Sequence, residues 1–374
     1  NGVNTYTGNT QLNSGTLSIE TSDNAGSGGS IIFNNGTLQI RGTTLTQLTA
    51  LGHPVTLGGN RTYGFDIADA ANTFTADRVF SGTGGFFKGG AGTLVLNQAN
   101  TFTGRSTLTG GGTVILDNTV QDNAKLPTDD LNSGGGPIIL RGGTHAHTVD
   151  RLNLTNGGGT TSISRDGGTA TINLNTLNRG SRQGASLAIS EDGIATTDRA
   201  NNSSGILGGW ATVGSHWAIN SANALDSPII GLAPGSYTGV TTGGGSSTSN
   251  LQLTGSQTLT GNITGNTLRI SNGANDDVLD INTRNLRISR PNGEGGLLYA
   301  GGFNDSYRII GTTGNINPQN GNQEFIINVH QGTLDIGVRV LPNGSSSAPL
   351  SKNGNGTLVL SAANNYVATT FLNQ

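Results

Sequence analysis

The sequence repeats itself, and the repeat restricts the fold more than any other feature. The pattern G-T-[LV]-x-[IL] occurs at residues 15–19 (GTLSI), 36–40 (GTLQI), 92–96 (GTLVL), 112–116 (GTVIL), 332–336 (GTLDI) and 356–360 (GTLVL). Copies begin 21 residues apart at Gly15 and Gly36, and 20 apart at Gly92 and Gly112. A second element, N-[TN]-[YF]-[TV], stands at 4–7, 100–103 and 364–367. A period of this length belongs to architectures in which each repeat contacts only its neighbours and buries its apolar face by stacking. Within GTLxL the apolar residues alternate, as Leu94 with Leu96 or Leu358 with Leu360, which is the period of a strand with one buried face.

Composition points the same way. Of 374 residues 62 are glycine, 32% are hydrophobic and 11% are charged. So much glycine penalises helices, at nearly 1 kcal/mol for each residue, and so few apolar residues cannot fill a thick globular core. Short strands, glycine corners and a period near 20 describe an all-β chain wound as a β-solenoid, with strands paired in parallel between coils and a narrow core column. At roughly 20 to 25 residues a coil, the chain would supply about 15 to 18 coils. Asn and Thr are expected to stack in ladders at equivalent corners, satisfying polar groups between coils.

The stretches GAGTLVLNQANTFTGRSTLTGGGTVIL (90–116), SKNGNGTLVLSAANNYVATTFLNQ (351–374) and NTYTGNTQLNSGTLSI (4–19) resemble the autotransporter-associated β-strand repeat, also called the passenger-associated transport repeat. Weaker echoes lie at 31–40, 251–270 and 327–336, and GILGGWATVGSHWAINSANAL (205–225) resembles the Trp-containing stretch of large surface proteins of this family. The resemblance implies a right-handed parallel β-helix from a secreted or cell-surface protein of a Gram-negative-type bacterium. In such proteins the repeat serves as a stalk or assists secretion. No C-terminal membrane barrel of alternating strands follows the repeat here.

Three stretches divide the chain: a first solenoid stretch over 1–199, a Trp-containing loop excursion ending in a flexible Gly/Ser-rich run over 200–250, and a second solenoid stretch over 251–374. Neither Cys nor Met is present, so disulfides and thiolate metal sites are excluded. A chain that starts at Asn1 reads as processed or excised from a longer precursor. The net charge of -3, with lysine only at 88, 125 and 352, argues against nucleic-acid binding. No apolar run approaches the roughly 20 residues of a membrane-spanning helix, so direct membrane insertion is not expected.

A search for chemistry finds little. The galacturonan-hydrolase set is absent except for paired aspartates at 129–130 and 276–277. Asp276, Asp277 and Asp280 near Arg284 and Arg287 read as a solvated turn. His145 and His147, two apart with Asp150 near, have zinc-ligand types but read as a surface pair. No phosphate loop, nucleophile elbow or calcium repeat occurs. The chain is therefore read as non-enzymatic, with no catalytic residue, metal or cofactor.

A stacked parallel rod leaves an unpaired strand edge at each end. Both terminal stretches read as cut repeats without an amphipathic cap, so residues 1–19 of one copy are expected to continue the solenoid of residues 356–374 of the next. This would give a head-to-tail homo-oligomer, an extracellular structural fibre. Its interface would include Asn4, Tyr6, Leu12, Leu17, Leu358, Leu360, Tyr366 and Phe371. The alternative is an adhesin or glycan-binding passenger using Trp210 and Trp217 as its ligand surface, with surface glycans as partners.

Overall fold

A computed structural model describes residues 2–57, 61–179, 183–288, 295–318, 324–341, 349–364, 366 and 368–373. The chain forms two compact units: unit 1 comprises Asn1–Gly180 with Gly193–Asp198, and unit 2 comprises Ser181–Asp192 with Arg199–Gln374. The fold is an all-β solenoid of parallel stacked coils, about 14 turns in all. Among the described residues the only helical segments are three 3-10 turns, Ser22–Ala25, Thr49–Leu51 and Pro234–Ser236.

In unit 1 one face is an eight-stranded parallel ladder: Thr16–Ile19, Thr37–Ile40, Tyr63–Ile67, Phe86–Gly89, Ser106–Leu108, Asp130–Ser133, Arg151–Leu154 and Thr176–Asn178. A second face stacks Thr73–Ala76, Thr93–Leu96, Val114–Asp117, Gly136–Arg141 and Gly159–Asp166. Its inward column runs Phe74, Leu94, Val114, Ile138, Ile163 in strict register, and every member is buried. Period-two alternation thus makes one continuous apolar column from residues 20 to 25 positions apart. Beside it, Phe65 lies 5.2 Å from Phe33, 5.6 Å from Phe80 and 6.0 Å from Phe86 between ring centroids, all in tilted arrangements. Aromatic side chains fill a thin column efficiently because each buries about 150–250 Å².

The corners are closed by glycine and asparagine. Gly90 has φ +74, and a Cβ there would lie 2.2 Å from Ile67 O, so both backbone angle and space demand glycine. At a corner Asn34 Nδ2 donates to Asn13 Oδ1 at 2.9 Å as expected, and longer polar ladders run along strand positions instead. Asn153 Nδ2 donates to Asn132 Oδ1 at 3.0 Å, and Asn178 Nδ2 donates to Asn153 Oδ1 at 2.9 Å, one rung per coil. Ser18 Oγ donates to Gln39 Oε1 at 2.7 Å, and Gln39 Nε2 donates to Asp66 Oδ2 at 3.2 Å.

Unit 2 has three parallel faces. The longest stacks Thr238–Gly239, Asn250–Thr254, Thr267–Ser271, Gly296–Tyr299, Phe325–Val329, Leu350–Asn353 and Thr370–Leu372. The second stacks Gln257–Thr258, Asp277–Asp280, Ser306–Ile310, Thr333–Ile336 and Thr357–Leu360, and the third Ile263–Gly265, Asn285–Ile288, Asn315–Pro318 and Arg339–Val340.

Three features of the fold depart from a uniform repeat. The coils are less uniform than a fixed period implies: Leu94 pairs with Val114, Val114 with Ile138, and Asn285 with Asn315, spacings of 20, 24 and 30 residues. Longer corners explain why the turns number fewer than expected. Next, the GTLxL copies do not share one face. Thr16–Ile19 and Thr37–Ile40 belong to the ladder of Phe86–Gly89, whereas Thr93–Leu96 and Val114–Asp117 belong to another. The motif encodes a glycine corner followed by a strand whose alternate apolar residues face the column, and every side of a coil needs such a unit. Finally, residues 200–250 are not simply loop. Ala211–Val213, His216–Asn220 and Ser227–Gly231 form an antiparallel meander, and the Gly/Ser-rich run is hydrogen-bonded, with Gly244 N donating to Asn262 O at 2.9 Å and Thr264 N donating to Gly244 O at 2.9 Å.

Candidate functional site

The expected ligand surface is internal. Trp210 is 2% exposed and Trp217 is 0% exposed, so neither indole presents a face to solvent. Trp217 packs with Ile206, Leu232, Tyr237 and Leu298 in the core of the meander. The Arg199 guanidinium lies 5.2 Å from the Trp210 ring centroid. A pair of buried tryptophans anchors the meander and cannot stack on a sugar, so that expectation does not hold.

The candidate chemical clusters are built into corners. Asp277 Oδ2 accepts from Gly273 N at 2.7 Å and Ala274 N at 2.8 Å, Asp280 Oδ1 accepts from Asn282 N at 2.8 Å, and Ser306 Oγ donates to Asp276. These carboxylates cap turns. His145 and His147 do share a side, with ring centroids 4.9 Å apart. Contrary to the surface-pair reading, His147 is buried, and its Nε2 lies 3.1 Å from Asn118 Nδ2. Burial, with the charges of His145 and Lys125, pushes the His147 imidazole down to about 3, so it is neutral at physiological pH. Among the described residues no three His, Asp or Glu side chains form a group able to hold a metal.

Exposed apolar side chains occur at several places, Val79, Val120, Leu225 and Phe303 among them, and at the first coil of unit 1 and the last coil of unit 2. In unit 1 the strands Thr10–Leu12 and Thr16–Ile19 are each the last of their ladder, and in unit 2 so are Thr357–Leu360 and Thr370–Leu372. Val3 and Tyr6 are exposed in the first coil, and Val359 and Leu372 in the last. Leu358, Leu360 and Tyr366 are half-buried against the unit 2 core. Over them lies a groove of about 640 Å³ lined by Leu350, Lys352, Gly356, Leu358, Leu360 and Leu372.

The repeat asparagine shows what these coils do. Asn100 joins three coils: its Oδ1 accepts from Phe80 N at 2.9 Å, its Nδ2 donates to Lys125 O at 3.0 Å, and its N donates to Ala124 O at 3.2 Å. Asn4 makes the forward half alone, with N to Asp23 O at 2.9 Å and Nδ2 to Asn24 O at 2.8 Å. Asn364 makes the backward half, its Oδ1 accepting from Val340 N at 2.7 Å, while its Nδ2 turns to Ala362 O in its own coil at 3.0 Å. Tyr6 and Tyr366 bond the Thr four residues on, at 2.8 Å and 3.1 Å. Phe102 holds the matching place in the buried coil.

The residues expected at a head-to-tail interface fall in several different places. Asn4, Tyr6 and Leu17 lie in the first coil of unit 1, but Leu12 is already buried against its own neighbours. Leu358, Leu360 and Tyr366 gather at the groove of unit 2. Phe371 does not; it pairs with Ser351 on the opposite strand face and sits over Gly184. Sequence reasoning missed Lys352 and Leu372. Aligning TTFLN (369–373) with RSTLT (105–109), where Leu108 is the core residue, would have selected Leu372.

No family model matches the chain. No solved structure matches it either. Over 229 residues it is 31% identical to the Adhesin BmaC autotransporter of Brucella suis biovar 1 (strain 1330), a match that covers 57% of this chain and 6% of that adhesin. The chain therefore corresponds to a small part of the length of the curated relative it matches, and an autotransporter adhesin is what that part resembles.

Proposed function

We propose that this chain is a non-enzymatic solenoid section of an adhesin-like passenger at the surface of a Gram-negative bacterium, of the autotransporter-associated repeat type. The observation that carries the reading is the 31% identity to an autotransporter adhesin over 229 residues, in a chain folded as stacked parallel coils. The engagement of Asp276, Asp277 and Asp280 in turn hydrogen bonds and the burial of His147 support a structural role rather than turnover. Labelling intact cells of the source bacterium with antibody against residues 301–305, where Phe303 is exposed, tests the location. Signal only after membrane permeabilisation would refute it.

The finer reading is that coils stack between copies, head to tail, into a surface or matrix fibre. The recurrence of the same strand-and-corner repeat in unit 1 and in unit 2 supports it, because identical repeat units can stack on one another. Parallel edge pairing would supply main-chain affinity, and the alternating apolar residues would supply register. Electron microscopy of native material with its mass in solution tests this. Filaments lost on removing residues 1–20 are expected, and single rods at every concentration would refute it.

A further inference from the structure

The meander of unit 2, with the residues leading into it, lies against the longest ladder of that unit, and neutral groups fasten it there. Asn328 Nδ2 donates to Gly209 O at 2.9 Å, Asn250 Nδ2 donates to Ser204 O at 2.6 Å, and Trp217 clusters with Leu298. Arg269 shares a register row with two of these residues, standing opposite Leu298, which stands opposite Asn328. It is 8% exposed. Its Nε donates to Ser215 O at 2.9 Å, and its Nη2 lies 3.5 Å from Ser215 Oγ, in the turn between Ala211–Val213 and His216–Asn220. The guanidinium carbon lies over the Tyr237 ring, 5.7 Å from the centroid.

Among the described residues nothing neutralises this charge. The more exposed Arg105, Arg141, Arg151 and Arg308 each face an aspartate at 2.8–3.7 Å. Arg269 makes no ion pair, and its Nη1 has no hydrogen-bond partner among the described residues. Its charge instead acts on two imidazoles, His216 and His330, which also act on one another. Burial first, and then the Arg269 charge, holds both imidazoles below their ordinary value. His216 Nδ1 lies 3.5 Å from Tyr237 Oη, and the Asp192 carboxylate that acts on this imidazole accepts from Gly231 N at 2.7 Å. The His330 imidazole is half-buried and has no hydrogen-bond partner among the described residues. Ala300 N donates to Ile270 O and His330 N to Tyr299 O, so Ser271, Ala300 and His330 continue the ladder register, with the small Ala300 between two polar side chains.

We infer that Arg269, Ser215 and His330 form a binding site for one carboxylate group, backed by His216 and Tyr237. Fastening the meander does not account for the arginine, since the neutral Asn328 fastens the same layer from the same row. A buried charge without a partner is costly, and a bound anion supplies the partner. With Tyr237 against the guanidinium and Nε on the Ser215 carbonyl, the Nη edge is what remains. That edge presents two donors in one plane, a match for the two oxygens of a planar carboxylate. Ser215 Oγ and the unpartnered His330 imidazole flank it with further donors, and half-buried Ser215, His216 and His330 give entry from solvent. Every member belongs to unit 2 and none to a terminal coil. The site goes beyond the surface-passenger reading and stands whether or not copies stack.

The test follows the ring C–H resonances of the five histidines in the full chain. The probes are acetate and glucuronate, with chloride at equal ionic strength as the reference. Either carboxylate should shift the His216 and His330 signals saturably in the millimolar range and leave those of His53 and His145 unmoved. The titration midpoint of His330 should rise by about 1 pH unit, because a bound negative charge favours the protonated ring. Arg269→Lys keeps the charge but loses the planar edge, and should weaken binding about tenfold. His330→Gln leaves the Arg269–Ser215 bond in place and should also weaken binding, which keeps the test decisive where the lysine variant loosens the meander. Tighter binding of glucuronate than of acetate would assign the carboxylate to an acidic sugar, and equal binding would assign it to a free organic acid; both uphold the site. No shift at His216 and His330 up to about 100 mM of either probe would overturn it. So would equal shifts with chloride, tighter binding of inorganic phosphate than of acetate, or full affinity in both variants.

Discussion

Replacing Trp217 with alanine removes the largest side chain of the meander core, where Ile206, Leu232, Tyr237 and Leu298 enclose it. An aromatic side chain of this size buries about 150–250 Å², and at about 25 cal/mol per Å² that is worth about 4–6 kcal/mol. The figure is an upper bound, because an unfolded chain already hides part of the surface; measured Trp or Phe truncations cost about 3–5 kcal/mol. No hydrogen bond is lost in addition. The indole Nε1 is buried without a partner, and the bond to Tyr237 Oη, at 3.3 Å, comes from the Trp217 main-chain N. Trp217→Phe should therefore cost less than about 1.5 kcal/mol, since it keeps most of the apolar area and removes an unsatisfied donor. Urea unfolding followed by far-UV circular dichroism measures the difference, and amide exchange at His216–Asn220 and Ser227–Gly231 localises it. At about 2–4 °C for each kcal/mol, Trp217→Ala should lower Tm by roughly 6–20 °C. A cost below about 1 kcal/mol with native exchange at these strands would refute the core assignment. Any loss of ligand binding in Trp217→Ala would report a damaged core, and Trp217→Phe would restore it.

Other expectations follow from the buried polar groups. Asn153→Ala breaks two rungs of the asparagine ladder, to Asn132 at 3.0 Å and from Asn178 at 2.9 Å, and should cost about 1–3 kcal/mol by urea unfolding; a cost near zero would show that water replaces the rungs. Burial holds the His147 imidazole at about 3, below its usual 6.5. The unfolded chain therefore takes up this proton first, so stability is complete above pH ~6.5 and falls by up to about 1.4 kcal/mol for each pH unit down toward 3. His147→Gln should flatten that acid limb, and an unchanged slope would refute the assignment. Burial pushes the Lys88 amine down to about 8 despite the nearby Asp66 carboxylate, from 10.5. Stability should accordingly rise as pH climbs through 8 toward 10.5, because the folded state releases the proton before the unfolded chain does. Lys88→Met should remove the rise and match or exceed the parent at pH 7. A Met variant that unfolds several degrees earlier at pH 7 would show that the carbonyl bonds outweigh desolvation.

What was legible in the sequence is whatever depends on neighbours along the chain. GTLVL announces a strand because Leu94 and Leu96 alternate with outward residues, and GG or NG before it announces a corner because few other residues can make one. Repeating such units with little else leaves a stacked column as the only way to bury the apolar faces, so the all-β solenoid followed from composition and period together. Asparagine ladders were foreseeable as a class, but the longest, Asn132 to Asn153 to Asn178, runs along strands rather than at a corner, because its rungs depend on which strand positions stack. The tryptophans were misread because an aromatic residue in a break of the pattern looks the same whether it faces a ligand or fills a small second core.

The sequence by itself determined that this protein is a chain of short strands and tight corners with a core one column wide, because alternation, glycine content and period act locally and repeat. Only the tertiary structure decided which face each copy of the motif occupies, which corners lengthen to 30-residue coils, and that both tryptophans are buried in the meander region. Those outcomes depend on what stacks above and below each strand. That is set by contacts between residues twenty to thirty positions apart, which no local pattern records.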